Sequence, residues 1–256
     1  MITEYIFEKL ADAFLAYANK LLSETRSSIL STPKDIQDAI HEHLNFVNTW
    51  CGEVSFRDLK KAKRTDQIYV IPDIYVYQRR IRIDSDEKID IISLLEMFDI
   101  EHNHVVLLGH PGAGKTTSMK YLCSKIIFEE AFLSNSCNFP IVIQFRDMNF
   151  RRGGENNGSS PLSAISRIIF KQLYNIFGLD IQLGDYFRGT EKNDEGARRL
   201  ENLLERMLVR LLDDLNVLLI LDGFDELTFE EDKEIALAEI RTLTSKLQKS
   251  SIVVTS

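Results

Sequence analysis

Gly109-His110-Pro111-Gly112-Ala113-Gly114-Lys115-Thr116 is the stretch on which the fold turns. It fits the pattern G-x-x-x-x-G-K-[ST], which cradles phosphate when it joins a strand to a helix. The flanks supply that setting. Val105 to Gly109 reads VVLLG, a short apolar run suited to a buried strand, and a helical pattern runs from Gly114 to Glu130. Glycines let backbone N–H groups turn inward without a Cβ in the way. A helix N-terminus adds free amides and a partial positive charge. Lys115 is expected to reach the β- and γ-phosphates of a nucleoside triphosphate, and the Thr116 hydroxyl to ligate Mg2+.

Three more apolar runs have the character of buried parallel strands: PIVIQF (Pro140 to Phe145), VLLILD (Val217 to Asp222) and SIVVTS (Ser251 to Ser256). Helical patterns separate them, from Pro161 to Phe177, Arg198 to Leu215 and Glu231 to Leu247. Strand and helix in alternation predict an α/β fold, a parallel sheet covered by helices on both faces. The polar, Gly-rich segments Arg151 to Ser160 and Gly184 to Gly196 read as connections.

The run VLLILDGFDEL carries the second set of candidates. A buried strand ending in an acid delivers a carboxylate to the C-terminal edge of the sheet, where open α/β sheets bind their ligands. Asp222 is therefore expected to hold Mg2+ with Thr116. Asp225 and Glu226 follow after two residues, near the expected γ-phosphate. Glu226 is the expected base for an attacking water, and Asp225 a polarising neighbour. Thr255, at the end of SIVVTS, is a candidate γ-phosphate sensor.

Upstream of the loop the pattern differs. Ile2 to Leu22 has apolar positions at helical spacing. Thr32-Pro33-Lys34-Asp35 opens a second helix with a capping box and Pro at the first helical position, and Ile36, Ile40, Leu44 and Val47 form its stripe. His41 and His43 fall on different sides of that helix, which makes them poor partners for one metal. Gln67 to Ile83 is rich in β-branched and aromatic residues and suggests extended segments broken by Pro72; a helical stretch is expected near Ile89 to Phe98.

The bulk numbers set limits. The sequence has 256 residues, 44% hydrophobic and 27% charged, with a net charge of −8. That acidity argues against a nucleic-acid-coating surface, despite the basic clusters Lys60/Lys61/Lys63/Arg64 and Arg79/Arg80/Arg82. No apolar run approaches the roughly 18 residues of a membrane span, and the N-terminus lacks the marks of a secretory signal. Three cysteines, Cys51, Cys123 and Cys137, follow no metal spacing. Reduced thiols and a cytoplasmic location are expected.

Taken together, GHPGAGKTT, PIVIQFRDM (Pro140 to Met148), LLILDGFDEL and SIVVTS resemble the NACHT domains of signal-transduction ATPases with numerous domains, the bacterial type among them. The specific part is a small residue after the first Asp, followed by a paired Asp-Glu. The likeness covers Gln67 to Ser256, which leaves residues 1–66 as a small N-terminal helical module. It implies a phosphate-loop NTPase of the additional-strand, catalytic-glutamate class, binding ATP or ADP with Mg2+. The ligand would touch Gly109, His110, Pro111, Gly112, Ala113, Gly114, Lys115, Thr116 and Thr117. Tyr69, Val70 and Pro72 would line the adenine. No guanine-reading N/T-K-x-D segment is present.

The resemblance further implies a slow ATPase switch, closed with ADP and assembling with ATP, in antiphage defence or comparable signalling. The alternative is a nucleotide-binding scaffold that does not hydrolyse. Family members continue beyond the position of Ser256 with a sensor Arg, a helical lid and a winged helix, so a truncated core is expected. The family's strand order would place Ser251 to Thr255 between the Val105 and Val217 strands. It would leave the outer edge of the Val105 strand to the N-terminal segment, a partner or a second copy, and self-association is expected.

Overall fold

The computed structural model describes residues 33–54, 63–65, 69–70, 72–76, 90–94, 96–98, 104–128, 139–148, 164–166, 168–169, 206, 208–210, 212–213 and 216–256. Outside these lie the expected helix Ile2 to Leu22, the cap Thr32, the cluster Arg79/Arg80/Arg82, Cys137 and the two Gly-rich connections. Most of the helical patterns from 161 to 177 and 198 to 215 lie there too; the described residues within them are helical.

Three helices are described over most of their length: α1 (Pro33–Gly52), α2 (Lys115–Phe128) and α3 (Glu230–Lys246). The strands are β1 (Glu53–Val54), β2 (Lys63–Arg64), β3 (Ile74–Val76), β4 (Asp90–Ile92), β5 (His104–Leu107), β6 (Phe139–Gln144), β7 (Val217–Asp222) and β8 (Ser251–Thr255). The last four form one parallel sheet in the order β5-β8-β7-β6. The last strand in sequence is therefore inserted between the strand of the phosphate-type loop and the acidic strand. This is the expected α/β phosphate-loop architecture with its additional strand.

Period-two alternation explains how the sheet is buried. Val142, Leu218, Ile220 and Val253 face one side and pack with Met119, Leu122, Cys123 and Ile126 of α2. Their neighbours Ile141, Ile143, Leu219, Leu221, Ile252 and Val254 face the other side and are buried as well. Strands buried on both faces need helices on both faces. On α3, Ala236, Ile240 and Leu243 make the buried stripe, at spacings of four and three.

α1 joins this core directly. Val47 and Cys51 are fully buried in the same cluster as Leu94, Met97 and the α2 residues, with Trp50 packed against it. Pro33 stands at its first position, where a missing N–H costs nothing. The helix then turns into the two-residue antiparallel pair β1–β2, held by the Thr65 hydroxyl donating to the Cys51 carbonyl at 2.6 Å. His43 is buried, its Nε2 3.0 Å from the carbonyl oxygen of Pro140 on β6. Burial holds its pKa below the ordinary histidine value, only partly offset by that carbonyl. It is a core histidine tying α1 to the sheet.

The segment near Ile89 to Phe98 corrects an expectation. It is not one helix: Asp90–Ile92 pairs antiparallel with β3, Ile74 against Ile92 and Tyr75 against Ile91. A 3-10 turn follows only at Glu96–Phe98. Two causes are visible. Ile91 and Ile92 are β-branched and find a partner strand after Pro72. Ser93 and Glu96 form a reciprocal capping box, the Ser93 N–H donating to Glu96 Oε2 at 2.7 Å and the Glu96 N–H to Ser93 Oγ at 3.4 Å. The Ser93 N–H, and after it the Ser93 hydroxyl, hold the exposed Glu96 carboxyl below its usual pKa, and the box fixes the start of the turn at Ser93. No described helix is long and apolar enough to cross a membrane.

Candidate functional site

At the C-terminal edge of the parallel sheet, β5 runs into the loop and α2 starts at Lys115. Gly112 and Gly114 adopt φ of 82° and 87°, the left-handed region that L side chains avoid. Each has open space where a Cβ would stand, so backbone conformation and not crowding sets the glycine requirement there. The Ala113 N–H donates to the His110 carbonyl at 3.0 Å, and the Ser118 N–H to the Gly114 carbonyl at 2.7 Å, which closes the loop onto the first turn of α2. Residues 110–113 are exposed at this edge, with Gly114, Thr116 and Thr117 half-buried behind them.

Lys115 is drawn back over its own loop. Its ammonium donates to the Gly109 carbonyl at 2.6 Å and the His110 carbonyl at 3.4 Å, and lies 3.6 Å from Asp225 Oδ2. Next to it, the Thr116 hydroxyl reaches Asp222 Oδ1 at 3.0 Å and Oδ2 at 3.1 Å, although 106 residues separate them. Asp222 is buried at the end of β7. A buried carboxylate needs partners, and a second one comes from β8: the Thr255 hydroxyl donates to Asp222 Oδ1 at 2.8 Å while accepting the Gly223 N–H at 2.8 Å. Thr255 is 1% exposed. Its hydroxyl is thus engaged with the carboxylate behind the site and steadies Asp222, a position different from the open one a direct phosphate sensor needs.

After Asp222 the chain reverses. Gly223 has φ 80° and ψ 45° and leads into a 3-10 turn, Phe224–Glu226. The Glu226 N–H donates to the Gly223 carbonyl at 2.9 Å. Phe224 is the anchor of this turn: its ring meets the fully buried Phe145 edge-on at 5.5 Å. Phe145 follows β6 directly, so two neighbouring strands end in interlocking rings. With Phe224 turned inward, Asp225 and Glu226 are exposed at the same edge as Lys115. Neither ring stood out in the sequence as a site residue. The available signal was an aromatic set between the acids of one strand end and another closing the neighbouring strand.

The segment before the loop reaches α2 through Tyr69. Its ring stacks on Tyr121 at 4.3 Å, and its hydroxyl donates to Ser118 Oγ at 3.1 Å, two residues beyond Thr116. Burial pushes the Tyr69 phenol up, so it stays protonated and able to donate. Val70 is 84% exposed, and Pro72 is half-buried. Of the three expected lining residues, Tyr69 is thus placed against α2, with one face of its ring already taken by Tyr121.

The donor set suits a hard cation. Thr116 and Asp222 offer oxygen only, as Mg2+ prefers, and Mg2+ commonly takes one or two protein ligands with water and phosphate completing its shell. Among the described residues no group of three His, Cys, Asp or Glu side chains could hold a metal ion. Cys51 and Cys123 are buried free thiols, and burial pushes the Cys51 thiol up to about 11. They are poor nucleophiles.

A search of the curated proteins finds no match. The family model described as nephrocystin 3, N-terminal, matches residues 95–256. The match takes in the glycine loop, the strands β7 and β8 and the Phe145–Phe224 contact, more than half of the chain. On that span, the chain belongs to the nephrocystin 3 N-terminal family.

Proposed function

We propose that this protein is a NACHT-type nucleotide switch that binds ATP with Mg2+ and hydrolyses it slowly, as part of cytoplasmic defence or signalling. The observation that carries this proposal is the Thr116 hydroxyl resting on both oxygens of Asp222, 3.0 and 3.1 Å away, at the mouth of a glycine loop. Two oxygen-bearing side chains 106 residues apart in sequence meet where a metal-bound triphosphate would lie. Bound Mg2+ would neutralise charge on the phosphates. The chain's own groups supply the rest. The amides of the loop and the first turn of α2 hold the phosphates, and Lys115 turns from the loop carbonyls to them. Tyr69, Val70 and Pro72 line the adenine side.

Glu226 is the proposed base. Its carboxylate takes a proton from water as the water oxygen bonds to the γ-phosphorus; the bond from that phosphorus to the β–γ bridging oxygen breaks, and ADP leaves. Asp225 polarises the site and holds Lys115 when no phosphate is there. The same proposal includes assembly in the ATP form. The alternative, a scaffold that binds without hydrolysing, differs at one step. Glu226→Gln should leave ATP affinity within about twofold and lower phosphate release by about a hundredfold or more. If purified wild-type protein binds ATP and releases no phosphate above background, the scaffold is the correct description.

A further inference from the structure

β6 ends beside the site on a residue with a donor to spare. In the parallel register Gln144 stands opposite Asp222, as Val142 stands opposite Ile220. Val142 and Ile220 both pack toward α2, and successive side chains alternate between the faces of a sheet. Gln144 and Asp222 therefore share the face on which Asp222 meets Thr116. The backbone is fixed on both sides of Gln144, by the strand pairing before it and by the clasp of Phe145 with Phe224 after it.

The side chain of Gln144 is half-buried and oriented by its neighbour. Arg146 Nη2 donates to Gln144 Oε1 at 3.1 Å, while Arg146 Nε lies 4.0 Å from Asp147 Oδ1. A guanidinium can only donate, so the amide atom facing it is the oxygen. The Nε2 group, with its two hydrogens, is left for another acceptor, and no described residue supplies one. Thr255, the candidate sensor on the other side of Asp222, is already spent on Asp222 and Gly223.

We infer that Gln144 distinguishes a triphosphate from a diphosphate, its Nε2 donating to a γ-phosphate oxygen, with Arg146 as its positioning residue. The inference rests on the proposed binding of ATP and not on its hydrolysis. Its direction follows from the strand order. The loop between β5 and α2 cradles the α- and β-phosphates, and Asp222 with Glu226 lies toward the γ end. In the order β5-β8-β7-β6, strands about 4.8 Å apart put β6 about 14 Å from β5. A donor on β6 is thus far from phosphates held over the loop and nearest the terminal one.

The test compares Mg-ATP with Mg-ADP on the whole chain by titration calorimetry. Gln144→Met keeps the length of the side chain and removes the donor. It should raise the Kd for Mg-ATP about tenfold, since the lost bond goes to a charged group, and leave the Kd for Mg-ADP within about twofold. Gln144→Glu keeps an oxygen for Arg146 but replaces the donor by a charge, and should lose at least as much for Mg-ATP. Arg146→Ala should give a smaller loss of the same kind, about threefold, and Arg146→Lys, which retains a donor, should recover most of it. Equal losses for both nucleotides would make Gln144 a structural residue, and wild-type Mg-ATP binding in Gln144→Met or Gln144→Glu would leave the amide without a phosphate; either overturns the inference. A loss in Arg146→Ala with none in Gln144→Met would assign the contact to the guanidinium and overturn it as well. Wild-type protein that binds neither nucleotide would instead bring down the proposed function, and this inference with it.

Discussion

Lys115 is satisfied by the protein itself: two loop carbonyls and Asp225 share its ammonium. A phosphate must therefore displace existing contacts, and the displacement costs little where water is at hand. The Asp225 carboxylate is about a third exposed, at 39%, so the pair is worth about 0.5–1 kcal/mol after solvent screening. Under the proposed function, Asp225 would also repel an incoming triphosphate. Asp225→Asn is expected to tighten ATP binding about two- to fivefold and to weaken its dependence on salt, as read by titration calorimetry at two ionic strengths. Weaker binding instead would mean that Asp225 contributes to holding the metal.

At the scale of elements, the four parallel strands were legible as uninterrupted apolar runs, three of which, β6, β7 and β8, are buried on both faces. An uninterrupted apolar run needs no partner to be recognised, and VLLILD maps onto Val217–Asp222 residue for residue. The Ile89 to Phe98 stretch was not legible, because its strand half exists only by pairing with Ile74–Val76. The capping box at Ser93 and Glu96 was there to be read, and it would have moved the helical start downstream. At the site, the acids and glycines could be read from spacing. The Phe145–Phe224 contact could not, since it joins parts whose distance only the folded chain sets. The same limit hid Asp213, whose carboxylate accepts the N–H groups of Gln248, Lys249 and Ser250 at 2.9 to 3.2 Å. It closes the turn that launches β8, and Ser250 completes the junction by donating to the Leu212 carbonyl and accepting the Val217 N–H. β8 is central in the sheet and carries Thr255, so Asp213→Ala should cost about 1–2 kcal/mol. Urea unfolding would show a lower midpoint at unchanged slope; an unmoved midpoint would make the cap dispensable.

For the whole molecule, the strand order sets an asymmetry that reaches beyond the site. β7 and β8 are paired on both sides, whereas β5 pairs only with β8 among the described residues. Val105 and Leu107 turn toward α2 and the core, but Val106 is 60% exposed and Leu108 71%. An edge that carries exposed apolar side chains is a template for another strand. Natural edges are commonly blunted by lysine or proline; here the positions facing outward are valine and leucine. The protein is therefore predicted to self-associate through β5, with the apparent mass in light scattering rising with concentration. Val106→Lys should return it to monomer, because a charge on this face opposes edge pairing, while ATP affinity is retained because the loop glycines and Thr116 are untouched. Wild-type protein that stays monomeric at high concentration would show that this edge is already covered within one chain. A variant that still associates would place the contact elsewhere on the molecule.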